Sequence, residues 1–501
     1  MNAYQPFTAA PEVASHREVP VQNQSGISFV RWTYGLINRL VLTSDVCILG
    51  VSALLAPALP LAFFANQLPE MQLVLVTAMQ MAVFFAVMTW TGAYRVERYT
   101  HIGMAAAYLL GAMLTTTLVL YFFLMAFSPA TIGYPAYLVA WSGLALVLLL
   151  ASRLVQRVLV RKAHQGEALR RRVVIIGAND IAARFARDLK KARYGETYDV
   201  VAVFRDPSDH SLSAEIGGMP IIGDLRALGL YGQHNTIDIL VLALPWSRAT
   251  ELFRLTEAVS GIAADIVVPM DEESVNPGFA PAISMGGAKA LRLMSRPLKG
   301  SQSVVKVIED YVIASVALVL LSPLMLLTAL LIRLEGPGPI FFLQSRPGFG
   351  TKPFNIYKFR TMHVDPEDDA TIGTTGPRDA RVTRVGAWLR RLSIDELPQL
   401  INVLRGEMSI VGPRPYVENM LVGNERFSVL ARQYAERHRI KPGLTGYAQA
   451  NGMRSYALRS KDNARRSIEM DVHYMRNWSL WLDMRIIVRT AVVGLAGRHV
   501  F

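Results

Sequence analysis

The sequence predicts a membrane α-helical bundle of four transmembrane helices, then a Rossmann-like α/β cytoplasmic domain, then a C-terminal α/β domain with a re-entrant membrane helix. Three observations predict this. Four apolar stretches, near residues 38–64, 71–93, 103–127 and 133–152, are each long enough as helix to cross ~30 Å of hydrocarbon. Short β-branched runs then alternate with helical spacing between residues 172 and 268, the pattern of strands joined by crossover helices. A fifth apolar stretch, residues 311–332, lies between basic flanks and carries Ser322-Pro323 at its centre.

Composition agrees. The chain has 501 residues, 52% hydrophobic and only 18% charged, below the ~25% charged usual in soluble proteins. Lys and Arg total 52 against 39 Asp and Glu, a net charge of +13. In a membrane protein such an excess anchors cytoplasmic segments to anionic lipid, and it also suits a phosphate-bearing ligand. Cys47 is the sole cysteine, which excludes an intramolecular disulfide and a Cys-rich zinc site. Disordered, collagen-like and disulfide-scaffold classes are excluded as well.

Residues 1–30 are polar and aperiodic, and they read as a mobile tail rather than a secretory signal. The four spans occupy a domain at 31–160. The links at 66–70 and 128–133 carry no Lys or Arg, whereas Arg95 and Arg98 mark the second link, and Arg153, Arg157, Arg161 and Lys162 follow the fourth span. This alternation places the N-terminus and the bulk of the chain in the cytoplasm. Asp45 lies within the first span. An intramembrane acid is a functional candidate by default, and the competing reading is a buried partner for a neighbouring helix.

The α/β domain spans residues 170–295. Arg172-Val-Val-Ile-Ile-Gly177, Val200-Val-Ala-Val-Phe204, Ile237-Asp-Ile-Leu-Val-Leu-Ala243 and Ala264-Asp-Ile-Val-Val268 read as strands of a parallel sheet, with a helix over residues 181–191. Gly177-Ala-Asn-Asp-Ile-Ala182 keeps only the first glycine of a dinucleotide fingerprint. No Tyr-x-x-x-Lys pair occurs in the chain, so a short-chain dehydrogenase or epimerase site is missing. The domain reads as a structural or regulatory module, with nucleotide binding as the alternative.

The fifth apolar stretch decides topology. Lys306 precedes it, and Arg333, Arg346, Lys352, Lys358 and Arg360 follow, so both flanks carry cytoplasmic-type charge. Proline bends a helix by removing a hydrogen bond and crowding the preceding turn. A re-entrant helix over 306–333, entering and leaving by one face, is therefore expected; a Pro-kinked transmembrane helix is the alternative.

The region 303–501 is dense in Arg, Gly and Pro. Its clusters are Gly336-Pro-Gly-Pro through Gln344-Ser-Arg346-Pro-Gly; Tyr357-Lys358-Phe-Arg360-Thr361-Met362; Arg381-Val-Thr383-Arg384-Val-Gly386 with Leu389-Arg390-Arg391-Leu-Ser393-Ile-Asp395-Glu396-Leu-Pro398-Gln399; and Gly412-Pro413-Arg414-Pro415. Arginine forks match phosphate oxygens in pairs. Ser393 is a candidate helix cap. Adjacent Asp395 and Glu396 diverge by ~100° on a helix. One can attack phosphorus while the other holds Mg²⁺, a hard ion that favours carboxylate and phosphate oxygen. An isolated acidic pair is usually just a solvated helix start; here it sits among the arginine clusters.

These motifs, together with Lys306 and Asp310, Pro442-Gly-Leu-Thr445-Gly446, Gln449-Ala-Asn-Gly452 and Trp478-Ser-Leu-Trp-Leu-Asp483, resemble the bacterial sugar transferase family, the polyprenyl-phosphate hexose-1-phosphate transferases or monotopic phosphoglycosyl transferases. The resemblance is close over 303–501 and looser upstream, as in large members that initiate exopolysaccharide or O-antigen repeat units. It implies an enzyme of the bacterial inner membrane, multi-pass, with an α/β catalytic domain on the cytoplasmic face. Asp395 would take phosphosugar from a UDP-hexose, releasing UMP, and pass it to undecaprenyl phosphate. Glu396 would be the Mg²⁺ ligand. Lys358, Arg360, Arg381, Arg384 and Arg414 would hold phosphates or nucleotide, and Ser322 and Pro323 would form the kink of the re-entrant helix. Large relatives suggest a homodimer. One departure is Val307, where the family often carries arginine. Glucose is the sugar this layout favours, with galactose as the alternative. The rivals from other classes are a non-catalytic nucleotide-sensing scaffold and a nucleotide-sugar oxidoreductase, the latter opposed by the missing glycines. The arginine-rich stretches lack the aromatic platform or recognition helix of a nucleic-acid binder.

Four remaining features carry less. The nine histidines form no His-x-x-x-His pair, so no zinc site is indicated. His363 reads as a loop residue, and Asp365-Pro-Glu-Asp-Asp369 as a mobile acidic loop. Residues 478–496 read either as an interfacial helix or as core packing.

Overall fold

The computed structural model describes residues 34–59, 70–127, 133–165, 170–189, 197–206, 215–270, 282–285, 288–363, 381–417, 420–453 and 460–495. The expected tail at 1–30 and the acidic loop at 365–369 lie outside the described residues. The described residues divide into two compact units, one within 34–170 and the other from 171 onward.

In the first unit, α1 (Tyr34–Leu55), α2 (Glu70–Trp90), α4 (Ile102–Phe127) and α5 (Gly133–Gln165) are long and apolar, and α3 (Val96–Tyr99) is a single turn. Five helices of the described chain are long and apolar enough to cross a membrane: these four and one at Ser301–Glu335. Leu49, Phe84, Leu109, Trp141 and Leu149 are buried between helices. Polar side chains join the helices across the apolar interior: Gln80 Nε2 donates to Ser142 Oγ at 3.0 Å, and the hydroxyls of Thr77 and Tyr137 lie 2.6 Å apart. In lipid such contacts replace the hydrophobic drive that water would supply.

Asp45 follows the same logic. Arg153 donates to both of its carboxylate oxygens, at 3.1 and 2.6 Å, with both side chains buried. The intramembrane acid is therefore the partner of a neighbouring helix. Arg153, which the sequence groups with the exposed basic flank, is spent inside the bundle.

The second unit begins with an eight-stranded sheet. Its strands are β1 (Arg170–Ile176), β2 (Thr197–Phe204), β3 (Glu215–Ile216), β4 (Met219–Gly223), β5 (Ile239–Leu242), β6 (Asp265–Pro269), β7 (Ala282–Met285) and β8 (Ala288–Met294), in the order β3-β4-β2-β1-β5-β6-β8-β7. Helices α6 (Asp180–Leu189), α7 (Leu225–His234) and α8 (Ala249–Val259) cover it, and its central strands are buried throughout. The expected parallel sheet is corrected to a mixed one. β1, β5 and β6 pair in parallel, but β8 runs antiparallel to β6 and β7, and β3 antiparallel to β4. The Ala-Lys-Ala-Leu-Arg-Leu-Met run of β8 lacks the β-branched residues that mark a strand, and only its hairpin with β7 makes it one.

Helix α9 (Ser301–Glu335) opens the C-terminal domain. At ~1.5 Å per residue it is about 50 Å long, and it stays helical through Ser322-Pro323, with Ser322 Oγ donating to the Val319 carbonyl. Val312, Val316, Val319, Leu326, Leu330 and Leu334 leave one side exposed and apolar. Its opposite side is tied down at both ends. Near the start, Lys306 Nζ lies 2.6 Å from Asp483 and 3.0 Å from Asp310, and Asp310 accepts from Ile410 N and Ser409 Oγ. Near the end, the Arg360 guanidinium donates to the carbonyls of Ile332, Gly336 and Pro337, and the Glu335 carboxylate accepts from Val385 N.

The rest of the domain comprises the hairpin β9 (Phe341–Pro347) and β10 (Pro353–Phe359), α10 (Arg384–Arg391), α11 (Gln399–Leu404), β11 (Ser409–Val411), the short pair β12 (Leu421–Val422) and β13 (Glu425–Arg426), β14 (Gly443–Thr445), α12 (Tyr447–Ala450), α13 (Lys461–Arg476) and α14 (Leu480–Leu495). β11 and β14 are parallel. A Cβ at Gly443 would lie 2.1 Å from the Gly412 nitrogen, so the two glycine motifs pack backbone against backbone. Core packing holds for Asp483 and Ile486 of α14, which are buried, while Trp481, Val488 and Val492 are exposed.

Candidate active site

The acidic pair sits on a turn held from both sides. Thr383 caps α10 by accepting from Gly386 N, and Gly386 packs so closely that a Cβ there would meet the Thr361 carbonyl at 2.2 Å. After α10 the chain turns through Ser393 in the left-handed region, at φ 57°, into a single 3₁₀ turn at Ile394–Glu396. Ser393 opens this turn but its side chain makes no cap hydrogen bond, which corrects the expectation that it caps a helix; the side-chain cap is on Thr383, one helix earlier. Ile394 is buried with Leu389, Phe359 and Ile332 and pins the turn, so the next two residues project from it.

Glu396 meets two cations. Lys358 Nζ on β10 lies 2.8 Å from Oε1, and Arg414 reaches Oε1 at 2.7 Å and Oε2 at 3.3 Å. β10 is fixed to α11 by Asn402, whose Oδ1 accepts from Tyr357 N and whose Nδ2 donates to the Asn355 carbonyl. Burial would raise the Glu396 carboxyl, but the charges and hydrogen bonds of Arg414 and Lys358 outweigh it and hold the group well below the usual carboxylate range. Arg414 is raised in turn, first by the charge of Glu396.

Asp395 behaves in the opposite way. Among the described residues none donates a hydrogen bond to its carboxylate. Burial and then the neighbouring Glu396 charge push it up to about 6, against the pull of Lys358, Arg390 and Arg414. Two adjacent carboxylates are thus driven apart, one permanently ionised and neutralised, the other ionised at neutral pH without a dedicated partner. Such a split is the mark of a site with divided roles, and an unpaired carboxylate in a basic field can serve as a nucleophile.

The remaining expected residues divide. Lys358 and Arg414 meet the pair. Arg360 does not: its guanidinium caps the carbonyl end of α9, where cations are favoured. Arg381 places its carbonyl against His363 N, and Arg384 is exposed at the first turn of α10. Ser322 and Pro323 lie within α9. Two arginines quoted in the motifs but absent from the expected site are drawn in. Arg390 Nε donates to Thr361 Oγ1 at 3.0 Å while its charge acts on Asp395. Arg346 on β9 is lowered to about 10 by burial and by Arg414, and its buried Nε has no hydrogen-bond partner among the described residues. The Gln344-Ser-Arg346 spacing gave the only sequence signal for it, since β9 puts alternate residues on one side.

In the α/β domain the turn after β1 is the candidate nucleotide site. At the end of β1, Gly177 has φ 108°. Asn179 Nδ2 donates to the Ala243 carbonyl at 2.6 Å and its Oδ1 accepts from Ala182 N at 3.1 Å. This side chain takes the space and a first-turn donor that a bound diphosphate would need.

Residues 301–497 match the model of the bacterial sugar transferase family, and residues 89–268 match that of a CoA-binding domain. At the turn after β1, Asn179 already occupies the Ala182 N–H that a diphosphate could use. An undecaprenyl-phosphate glucose phosphotransferase of Komagataeibacter xylinus is 33% identical over 72% of this chain and 66% of its own length. A UDP-glucose:undecaprenyl-phosphate glucose-1-phosphate transferase of Xanthomonas campestris pv. campestris is 34% identical over 70% of this chain and 73% of its own. Over a shorter stretch, 38% of this chain and 44% of the relative, a UDP-N-acetylgalactosamine-undecaprenyl-phosphate N-acetylgalactosaminephosphotransferase of Aeromonas hydrophila is 45% identical.

Proposed function

The chain belongs to the bacterial sugar transferase family, and from that premise we propose that it transfers hexose-1-phosphate, glucose-1-phosphate first, from a UDP-hexose to undecaprenyl phosphate. The observation that carries the reading is the divided pair: Asp395 unpartnered and ionised above about pH 6, beside Glu396 clamped by Lys358 and Arg414. Asp395 attacks the sugar-bearing phosphorus of the donor. The bond from that phosphorus to the bridging oxygen breaks, and UMP leaves with the oxygen. An oxygen of the lipid phosphate then attacks the aspartyl phosphosugar and restores the carboxylate. No proton needs to move in either step.

Both substrates are anions. Lys358, Arg390, Arg414 and Arg346 supply the positive field that offsets their repulsion. Among the described residues no cluster of three or more acidic, histidine or cysteine groups could hold a metal. Mg²⁺ usually takes one or two carboxylates together with substrate phosphates, and Asp395-Glu396 with a diphosphate fits that pattern. We assign Glu396 as its ligand; the ion would offset phosphate charge.

The re-entrant reading of α9 rests on its two ends. Asp310 bonds to Ser409 and Ile410, and Ile332 to Arg360, all within one α/β domain. Its apolar side faces outward between them. A helix anchored at both ends to one water-facing domain fits entry and exit by the same face. On this reading Asp395 would lie where a lipid phosphate meets a cytosolic donor, with the catalytic domain on the cytoplasmic side of the inner membrane.

The test is UMP release from a panel of UDP-sugars with undecaprenyl phosphate and Mg²⁺ in detergent or nanodiscs. UDP-glucose should give the fastest release. Faster release from UDP-galactose or a UDP-N-acetylhexosamine would reassign the sugar, and no UMP from any of them would remove the reaction.

A further inference from the structure

Six residues before the Gly443 strand begins, the 3₁₀ segment Arg432–Arg439 carries a buried arginine, Arg437, that none of the sequence motifs includes. Arg437 Nε donates to Asp471 Oδ2 on α13 at 2.8 Å, and Arg437 Nη2 donates to the Arg414 main-chain carbonyl at 2.8 Å. Tyr416, Tyr434 and Phe427 surround the guanidinium, with ring centroids 4.9, 5.4 and 5.7 Å from its central carbon. Ion-pair stabilisation alone would ask for less: a buried Arg–Asp pair is at best weak evidence of net stability. What the fork does is bridge. One arm holds a carboxylate on a rigid helix, and the other holds the backbone of the residue whose side chain clamps Glu396.

We propose that Arg437 is a positioning residue of the active site, setting the place of the Arg414 main chain and, through it, the Arg414 side chain on Glu396. The inference rests on the transfer reaction proposed above. The path has three links: Asp471 to Arg437, Arg437 to the Arg414 carbonyl, and Arg414 to Glu396. The rings fix the guanidinium plane by cation–π contact, so the fork cannot swing without losing three faces. Lysine at 437 keeps the charge beside Asp471 but cannot hold both acceptors in a fixed plane. The same segment is held at its far end by Arg439, which donates to the Ala264 carbonyl of the α/β sheet domain, so the bridging arginine sits in a strap fixed on both sides.

The test is a double-mutant cycle on UMP release by the full chain in nanodiscs, with Arg437→Lys, Arg414→Lys and the double variant. Arg437→Lys should lower kcat about tenfold to a hundredfold, the range for supports of a reacting group, with KM for the UDP-hexose changed less than threefold. Because one residue acts through the other, the double variant should be within twofold of Arg414→Lys alone. Asp471→Asn, which keeps an acceptor for Arg437, should show the same dependence on Arg414 at smaller size, and it covers the case that Arg437→Lys fails to fold. Ile468→Val, a buried core change on α13, serves as a structural control whose effect multiplies with that of Arg414→Lys. Losses that multiply for Arg437 and Asp471 as they do for Ile468 overturn the positioning role while leaving the reaction intact. Absence of UMP release by the unaltered chain overturns the reaction and this inference together.

Discussion

The Arg414 guanidinium spans both carboxylate oxygens of Glu396, at 2.7 and 3.3 Å, while Lys358 takes one of them at 2.8 Å. Asp395, one residue earlier, shares neither cation by a hydrogen bond. Neighbours in sequence thus differ completely in state, and the division of labour in the proposed reaction follows from it.

Asp395→Asn should abolish UMP release, by at least about a thousandfold for loss of a covalent nucleophile, and should abolish trapping of a phosphosugar on the protein. The substitution also removes a charge that burial disfavours, so the melting temperature should not fall. Retained turnover would dismiss Asp395 as the nucleophile.

The pH dependence has a definite sign. A raised carboxyl keeps its proton to higher pH, so Asp395 is neutral and inert below about 6 and ionised above it. The rate should fall tenfold per pH unit well below that point and level off above it. Glu396 is held ionised across the whole range and adds no second step. A profile flat from pH 5 to 8 would contradict the assignment.

Arg360→Ala should act on stability rather than substrate binding. It removes a guanidinium that satisfies three carbonyls at the end of α9. The expected loss is about 1–3 kcal/mol of stability, read as a lower melting temperature, with KM for the UDP-hexose unchanged. A tenfold rise in KM at an unaltered melting temperature would return Arg360 to the phosphate site.

Topology can be read with a reporter placed after Phe501, which should stay cytoplasmic. Pro323→Ala removes the residue that weakens the centre of α9, and it should move part of the reporter across the membrane. External exposure of the reporter on the unaltered chain would make α9 a span.

The four long apolar helices and the buried strands were legible because hydrophobic period and length are local properties of sequence. β1, β2, β5 and β6 could be read from their β-branched runs. β3, β4, β7 and β8 could not, because pairing with a neighbour rather than propensity makes them strands. Asp45 showed an acid in lipid, but nothing adjacent named Arg153, 108 residues away, as its partner. Likewise Arg360 and Arg414 looked alike in sequence, since each is an arginine within a family motif.

Sequence by itself determined the family, the apolar helices and the acidic pair, because motif order and hydrophobic length survive without knowledge of contacts. Tertiary structure alone decided which cation serves which group: Arg414 and Lys358 on Glu396, Arg360 on the end of α9, Arg153 on Asp45, and Arg437 behind Arg414. A guanidinium has the same charge wherever it stands in a chain. Only the folded distance, falling as the inverse in Coulomb attraction and more steeply in a hydrogen bond, selects the acceptor it serves.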